Sequence, residues 1–214
     1  MAKYPIFLEL GQSRVVVIGA GAVAVRKVQP LLDVGARVVV VSEEIDEMMT
    51  ACCRGMDTEL VEAKYSKIYL PGAVLVIAAT SDYKTNEQIY KDCQELQILC
   101  NIVDDPEHCD FFVPAVVKRG DLQIAIGTEG NCPAYAGHLR RKLEQEFTEK
   151  HGQFLTELEK LRKQIIKTIA DPADRKALLG KLVDDESFKV FKKNGLESWN
   201  DRAQKIISEY LNQA

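Results

Sequence analysis

The stretch Arg14-Val15-Val16-Val17-Ile18-Gly19-Ala20-Gly21-Ala22-Val23-Ala24-Val25-Arg26-Lys27 decides how this chain is read. Four apolar β-formers run into Gly-Ala-Gly. A helix-compatible segment follows, with no Gly or Pro before Pro30. The pattern is strand, tight turn, helix, and backbone N–H groups at the start of such a helix can hold a pyrophosphate. Gly19 makes the tight turn, and Gly21 lets the backbone approach the phosphates. Ala24 stands at the third, packing position.

A ligand-free strand-to-helix turn has the same local pattern, so the surrounding chain must decide. A second all-apolar strand, Val38–Val41, follows the helix and ends in Ser42-Glu43-Glu44. An acid about twenty residues beyond the glycines is where a ribose 2′-OH is held. No Arg or Lys stands beside that position in the chain, which favours NAD over NADP.

The 214 residues make one large domain or two small ones. The net charge of −4 gives no sign of nucleic-acid binding. No apolar run is long enough for a bilayer, and residues 1–10 do not read as a signal peptide, so a cytoplasmic protein is expected. The six cysteines lack paired CxxC spacing. They read as reduced and mostly buried thiols rather than as a metal site.

Outward from the opening turn, the chain alternates. After an extended lead-in over 4–10, the first helix covers 22–34 and stops at Gly35, with a kink or early break expected at Pro30. Strand 37–41, helix 44–54 and strand 58–62 follow. Then come a loop with Tyr65 and Tyr69, strand 73–78, helix 83–96 and strand 98–103. This predicts an α/β fold, a Rossmann-type doubly wound parallel sheet. Its ligand crevice lies beyond the carboxyl ends of the strands. Gly19–Val23, Ser42–Glu44, Ala79–Asp82 and Val103–Asp105 fall at those ends. Beyond Pro106 the alternation stops. Residues 109–118 and 121–127 read as a hairpin turning at Arg119-Gly120, and Pro133 opens a helix to about Lys150. From His151 the chain is helical in pattern, broken at Asp171-Pro172, with later helices at 174–182, 186–193 and 198–211.

Several motifs then occur in one order: Tyr4-Pro5-Ile6-Phe7-Leu8, the Gly19-Ala20-Gly21 turn with Arg26-Lys27, and Ala78-Ala79-Thr80-Ser81-Asp82. Asn101-Ile102-Val103-Asp104-Asp105-Pro106, Cys109-Asp110-Phe111 and Pro133-Ala134 complete the series. Over residues 4–147 the chain resembles the precorrin-2 dehydrogenases of siroheme synthesis, including the N-terminal module of the fused siroheme synthases. The resemblance implies an NAD-binding Rossmann domain (1–110), a small α+β dimerisation domain (111–149) and a helical C-terminal domain (150–214). It implies NAD⁺-dependent oxidation of the tetrapyrrole precorrin-2 to sirohydrochlorin by a homodimer, with no nucleic acid or membrane involved. Some members also insert Fe²⁺ to make siroheme, a lyase step.

The family's catalytic aspartate falls on Asp104, where a carboxylate serves as general base for the proton lost with the hydride. The family's cofactor contacts fall on Gly21, Ala22 and Val23, then on Glu43 and Glu44, and on Thr80 and Asn86, with Gly19 at the turn. No resident metal is implied. The loop Gly127-Thr128-Glu129-Gly130-Asn131-Cys132-Pro133 departs from the common Ser/Thr-Gly-Gly-x-Ser-Pro pattern. Lys118, Arg119, Arg140 and Arg141 are candidates for substrate carboxylates, His108 for proton or metal handling. His138 and His151 are placed on helix surfaces. The alternative class is an NAD-sensing module, which binds without turnover.

Overall fold

The computed structural model describes residues 3–212, which divide after Val113 into two compact units.

In the first unit, strands β1 (Arg14–Ile18), β2 (Arg37–Ser42), β3 (Thr58–Glu62), β4 (Leu75–Ala78) and β5 (Leu99–Ile102) form one sheet. All its pairings are parallel, in the order β3-β2-β1-β4-β5. Side-chain alternation explains why the central strands are apolar throughout. Val15, Val17, Val38, Val40 and Ile77 face one side, against Val28 and Leu32 of helix α1 (Ala22–Asp33) and Met49 of helix α2 (Glu47–Cys53). Val16, Ile18, Val39, Val41 and Val76 face the other, against Ile89 and Cys93 of helix α3 (Tyr83–Leu96). Each such valine, fully buried, contributes roughly 1.5–3 kcal/mol of transfer free energy.

Several boundaries differ from the sequence reading. Helix α1 runs unbroken through Pro30. Pro30 and Arg26, whose carbonyl loses its partner, are both exposed, so water can satisfy that carbonyl. Helix α2 starts at Glu47 rather than 44, because the Asp46 side chain accepts from the Met49 N–H at 2.8 Å. Glu43 and Glu44 therefore stay in the loop beyond β2. The long strand expected over 109–118 pairs as a hairpin strand only from Ala115.

The second unit starts with that antiparallel hairpin, β6 (Ala115–Arg119) and β7 (Leu122–Ile126). Helices α4 (Pro133–Glu146), α5 (Glu149–Thr168), α6 (Pro172–Leu182) and α7 (Asp185–Leu211) follow, α7 breaking at Gly195 (φ 86°). The single helix expected from Pro133 to Lys150 ends at Glu146. The Thr148 N–H bonds His151 Nδ1 at 3.0 Å to start the next. His151 is not on an open surface: its ring lies 5.0 Å from that of Phe147 and 4.1 Å from that of Phe188. Phe154, Leu161, Leu178, Leu182 and Trp199 fill the helical core. Gly152 is required where α5 meets the hairpin, since a Cβ there would lie 2.3 Å from the Arg119 carbonyl oxygen. No helix among the described residues is long and apolar enough to cross a membrane. All six cysteines are free.

Candidate active site

The sheet order reverses between β2-β1 and β4, so the topological switch point lies at the carboxyl ends of β1 and β4. The end of β1 is held closely to both of its neighbours, β2 and β4. The Gly19 N–H donates to the Val41 carbonyl, and the Ala79 N–H to the Ile18 carbonyl, each at 2.8 Å. Gly19 has φ +106°, and a Cβ on it would stand 2.5 Å from the Ala79 carbonyl oxygen. Only glycine fits.

Two residues on, Gly21 caps α1 in an extended conformation (φ −70°) with no side-chain hydrogen bond. A Cβ on Gly21 would meet nothing within 4 Å. The first turn of α1 carries no acid and its N-cap makes no side-chain hydrogen bond, so no side chain of this helix start offsets the positive end of the helix dipole. Ala22 and Val23 occupy this turn, and Ala24 is fully buried against the sheet. A pyrophosphate fits such a cradle.

In front of it lies a cleft of about 770 Å³. Gly19, Gly21, Glu43 and Thr80 line it; Ala22, Val23, Glu44, Asn86 and Asp104 do not. Asn86 is buried and acts on Thr80 from behind. The Thr80 hydroxyl donates to Asn86 Oδ1 at 2.7 Å, and the Asn86 amide donates to the Thr80 carbonyl at 3.1 Å. Next to it, the Thr85 hydroxyl and N–H, with the Lys84 N–H, hold the Asp82 carboxyl below its usual range.

Among the lining residues that sequence reasoning missed are Lys64, Tyr65 and Gln88. It found no base beside Glu43 because it compared neighbours along the chain. The structure places the Lys64 Nζ 3.9 Å from Glu43 Oε2, across from β2. The available signal was the strand-end rule itself, since Lys64 is the second residue beyond β3. The Tyr65 hydroxyl donates to the buried Asp92 carboxylate at 2.7 Å, and Gln88 donates to the same group at 3.0 Å. Burial, then this hydrogen bond, pushes the Tyr65 phenol well up.

Asp104 stands beyond β5, exposed, with a left-handed backbone (φ 63°). Asp is among the few residues that tolerate that region. The loop around it is tied down. The Val103 N–H donates to the Ala78 carbonyl at 2.9 Å. Asp105 Oδ2 is 2.7 Å from His108 Nδ1, and the Cys109 thiol donates to the Ile102 and Asp105 carbonyls. Burial raises the Cys109 thiol pKa. Among the described residues, no three His, Cys, Asp or Glu side chains are grouped to hold a metal.

The basic candidates of the second unit are largely engaged. Arg119 donates to the carbonyls of Phe147 (2.7 Å) and Glu144 (3.0 Å), closing the end of α4, and Arg140 pairs with Glu144. Lys118 and Arg141 remain exposed.

Comparison with known proteins agrees with this arrangement. Residues 6–115 match a family model described as "Putative NAD(P)-binding", and residues 119–146 match "Sirohaem biosynthesis protein central". Siroheme synthase 1 of Aeromonas hydrophila subsp. hydrophila is 33% identical over 98% of this chain and 44% of its own. The siroheme synthase of Buchnera aphidicola subsp. Acyrthosiphon pisum is 32% identical over 100% of this chain and 44% of its own. The chain thus spans less than half the length of these relatives. The solved chain "SirC, precorrin-2 dehydrogenase" shares the fold at a TM-score of 0.76 and 22% identity, over 96% of this chain and 100% of that one. The first of these family models spans more than half of the 214 residues, so this chain belongs to the family described as "Putative NAD(P)-binding", with a segment of the sirohaem biosynthesis central type after it.

Proposed function

We propose that this protein oxidises precorrin-2 to sirohydrochlorin with NAD⁺, with Asp104 as general base. The observation that carries the reading is one row of strand ends. The pyrophosphate cradle sits at β1, Glu43 beyond β2 and Asp104 beyond β5. From β2 to β5 that row spans three inter-strand spacings, about 14 Å, the scale of a stretched dinucleotide.

In this reading Gly21, Ala22 and Val23 hold the diphosphate with Gly19 at the turn, and Glu43 and Glu44 take the ribose hydroxyls. Thr80, set by Asn86, faces the middle of the cofactor. When bound, the oxidised nicotinamide supplies the hydride acceptor. Asp104 then accepts the proton at its carboxylate, and its fixed backbone keeps that carboxylate at the strand end. The hairpin β6-β7 leaves both of its edges open among the described residues, and we assign it to a homodimer contact. A small dimerisation domain over 111–149, a helical domain over 150–214 and a cytoplasmic location belong to the same proposal.

The test is an anaerobic assay of precorrin-2 with NAD⁺, following NADH. Wild type forms NADH, while Asp104→Asn loses nearly all turnover and keeps NAD⁺ binding. Full activity in the variant sinks Asp104 as the base. Binding without any NADH in wild type favours the sensing module instead. Sirohydrochlorin with Fe²⁺ added then tests iron insertion, with the metal as substrate.

A further inference from the structure

Sheet register brings Glu43 and Lys64 together. In the parallel β2-β3 pair Ser42 stands opposite Glu62, and the Ala63 N–H donates to the Ser42 carbonyl at 2.8 Å. Each strand's next free residue is then Glu43 on β2 and Lys64 on β3. Their charged ends are 3.9 Å apart, and both line the cleft beyond the cradle, where the adenosine ribose falls.

The backbone on both sides of Lys64 is pinned. Ala63 is held by the sheet. Tyr65 is held by its hydroxyl on Asp92, a carboxylate that is itself buried and further bonded by Gln88. The Lys64 stem is flexible and largely exposed, so its ammonium can swing between Glu43 and a ligand while its root stays fixed.

A lone acid at this corner accepts ribose hydroxyls and repels a 2′-phosphate. An ammonium beside the acid changes that balance, because it neutralises the acid and can itself meet the phosphate. We infer that Lys64 is the specificity residue of the adenosine end and that it admits a 2′-phosphorylated ribose, so the protein binds NADP⁺ as well as NAD⁺. The inference rests on the nicotinamide-cofactor reading above.

The test is calorimetric titration of the full chain with NAD⁺ and, separately, NADP⁺. Wild type binds NADP⁺ within about tenfold of NAD⁺, and Lys64→Ala lowers the NADP⁺/NAD⁺ affinity ratio by about tenfold. Lys64→Arg keeps the wild-type ratio, and Glu43→Gln shifts it towards NADP⁺. Equal changes for both dinucleotides in Lys64→Ala, or no change, overturn the role of Lys64. So does wild type that binds NAD⁺ and not NADP⁺. Wild type that binds neither overturns the cofactor reading and this inference with it.

Discussion

Thr80 and Asn86 bond each other twice, hydroxyl to amide oxygen at 2.7 Å and amide nitrogen to carbonyl at 3.1 Å. The pair joins the loop after β4 to the first turn of α3. Asn86 is buried, so its replacement leaves the Thr80 carbonyl and hydroxyl short of partners. Asn86→Ala is expected to lower stability by about 1–3 kcal/mol. It is also expected to weaken cofactor binding several-fold through the loosened Thr80. Urea unfolding and dinucleotide titration on the same sample measure both.

The two glycines of the cradle separate stability from binding. Gly19→Ala puts a Cβ 2.5 Å from the Ala79 carbonyl oxygen at φ +106°. Its expected cost is about 2–4 kcal/mol, read from the urea midpoint. Gly21→Ala meets nothing at φ −70°. It should leave the midpoint within about 0.5 kcal/mol of wild type and yet weaken the dinucleotide about tenfold, since the added methyl occupies the phosphate approach. Equal effects of the two variants on stability contradict this division.

At Asp104 the substitution must spare the backbone. Asn shares the tolerance of Asp for the left-handed region, so Asp104→Asn is expected to keep the wild-type melting temperature and lose about 100-fold or more in kcat. Asp104→Val combines the same chemical loss with backbone strain, and its melting temperature falls too.

Alkaline pH reports on Tyr65. Its phenol is raised in the fold, while in the unfolded chain it titrates near the ordinary value of about 10. Above about pH 10 the unfolded state therefore binds fewer protons than the native state, and stability falls as pH rises. Below that value the contribution is fully present. Tyr65→Phe is expected to be less stable at neutral pH, with Asp92 short of one donor, and to lose stability less steeply than wild type above about pH 10. Parallel pH–stability curves for the two proteins contradict the assignment.

Arg119 is a structural group by its hydrogen bonds, although the sequence offers it as a substrate contact. Arg119→Ala strips donors from the Phe147 and Glu144 carbonyls. Stability should drop by about 1–3 kcal/mol. The KM for the tetrapyrrole is expected to hold, and steady-state kinetics on the folded variant check it.

Legibility followed locality. The Gly19–Ala24 turn and the alternation of strands could be read because each is encoded in contiguous residues with one dominant periodicity. The helix starts were less legible: Asp46 and Thr148 are cap residues whose hydrogen bonds override the apolar pattern around them. Lys64 escaped because its neighbour Glu43 is fixed by strand register, twenty-one positions back along the chain. Asn86 was expected as a cofactor contact. Its inward-turned amide, bonding Thr80 rather than lining the cleft, depends on packing that one sequence does not display.

Strand β1 has one further property. Because Val15, Val16, Val17 and Ile18 are apolar on both faces, sliding the strand by one residue would swap the two core layers at little hydrophobic cost. The stops are at its ends. Arg14 reaches the Tyr69 carbonyl at 2.7 Å at one end, and Gly19 fits under Ala79 at the other. The glycine that makes the tight turn is thus also an alignment pin, telling an otherwise uniform ribbon of valines where to halt.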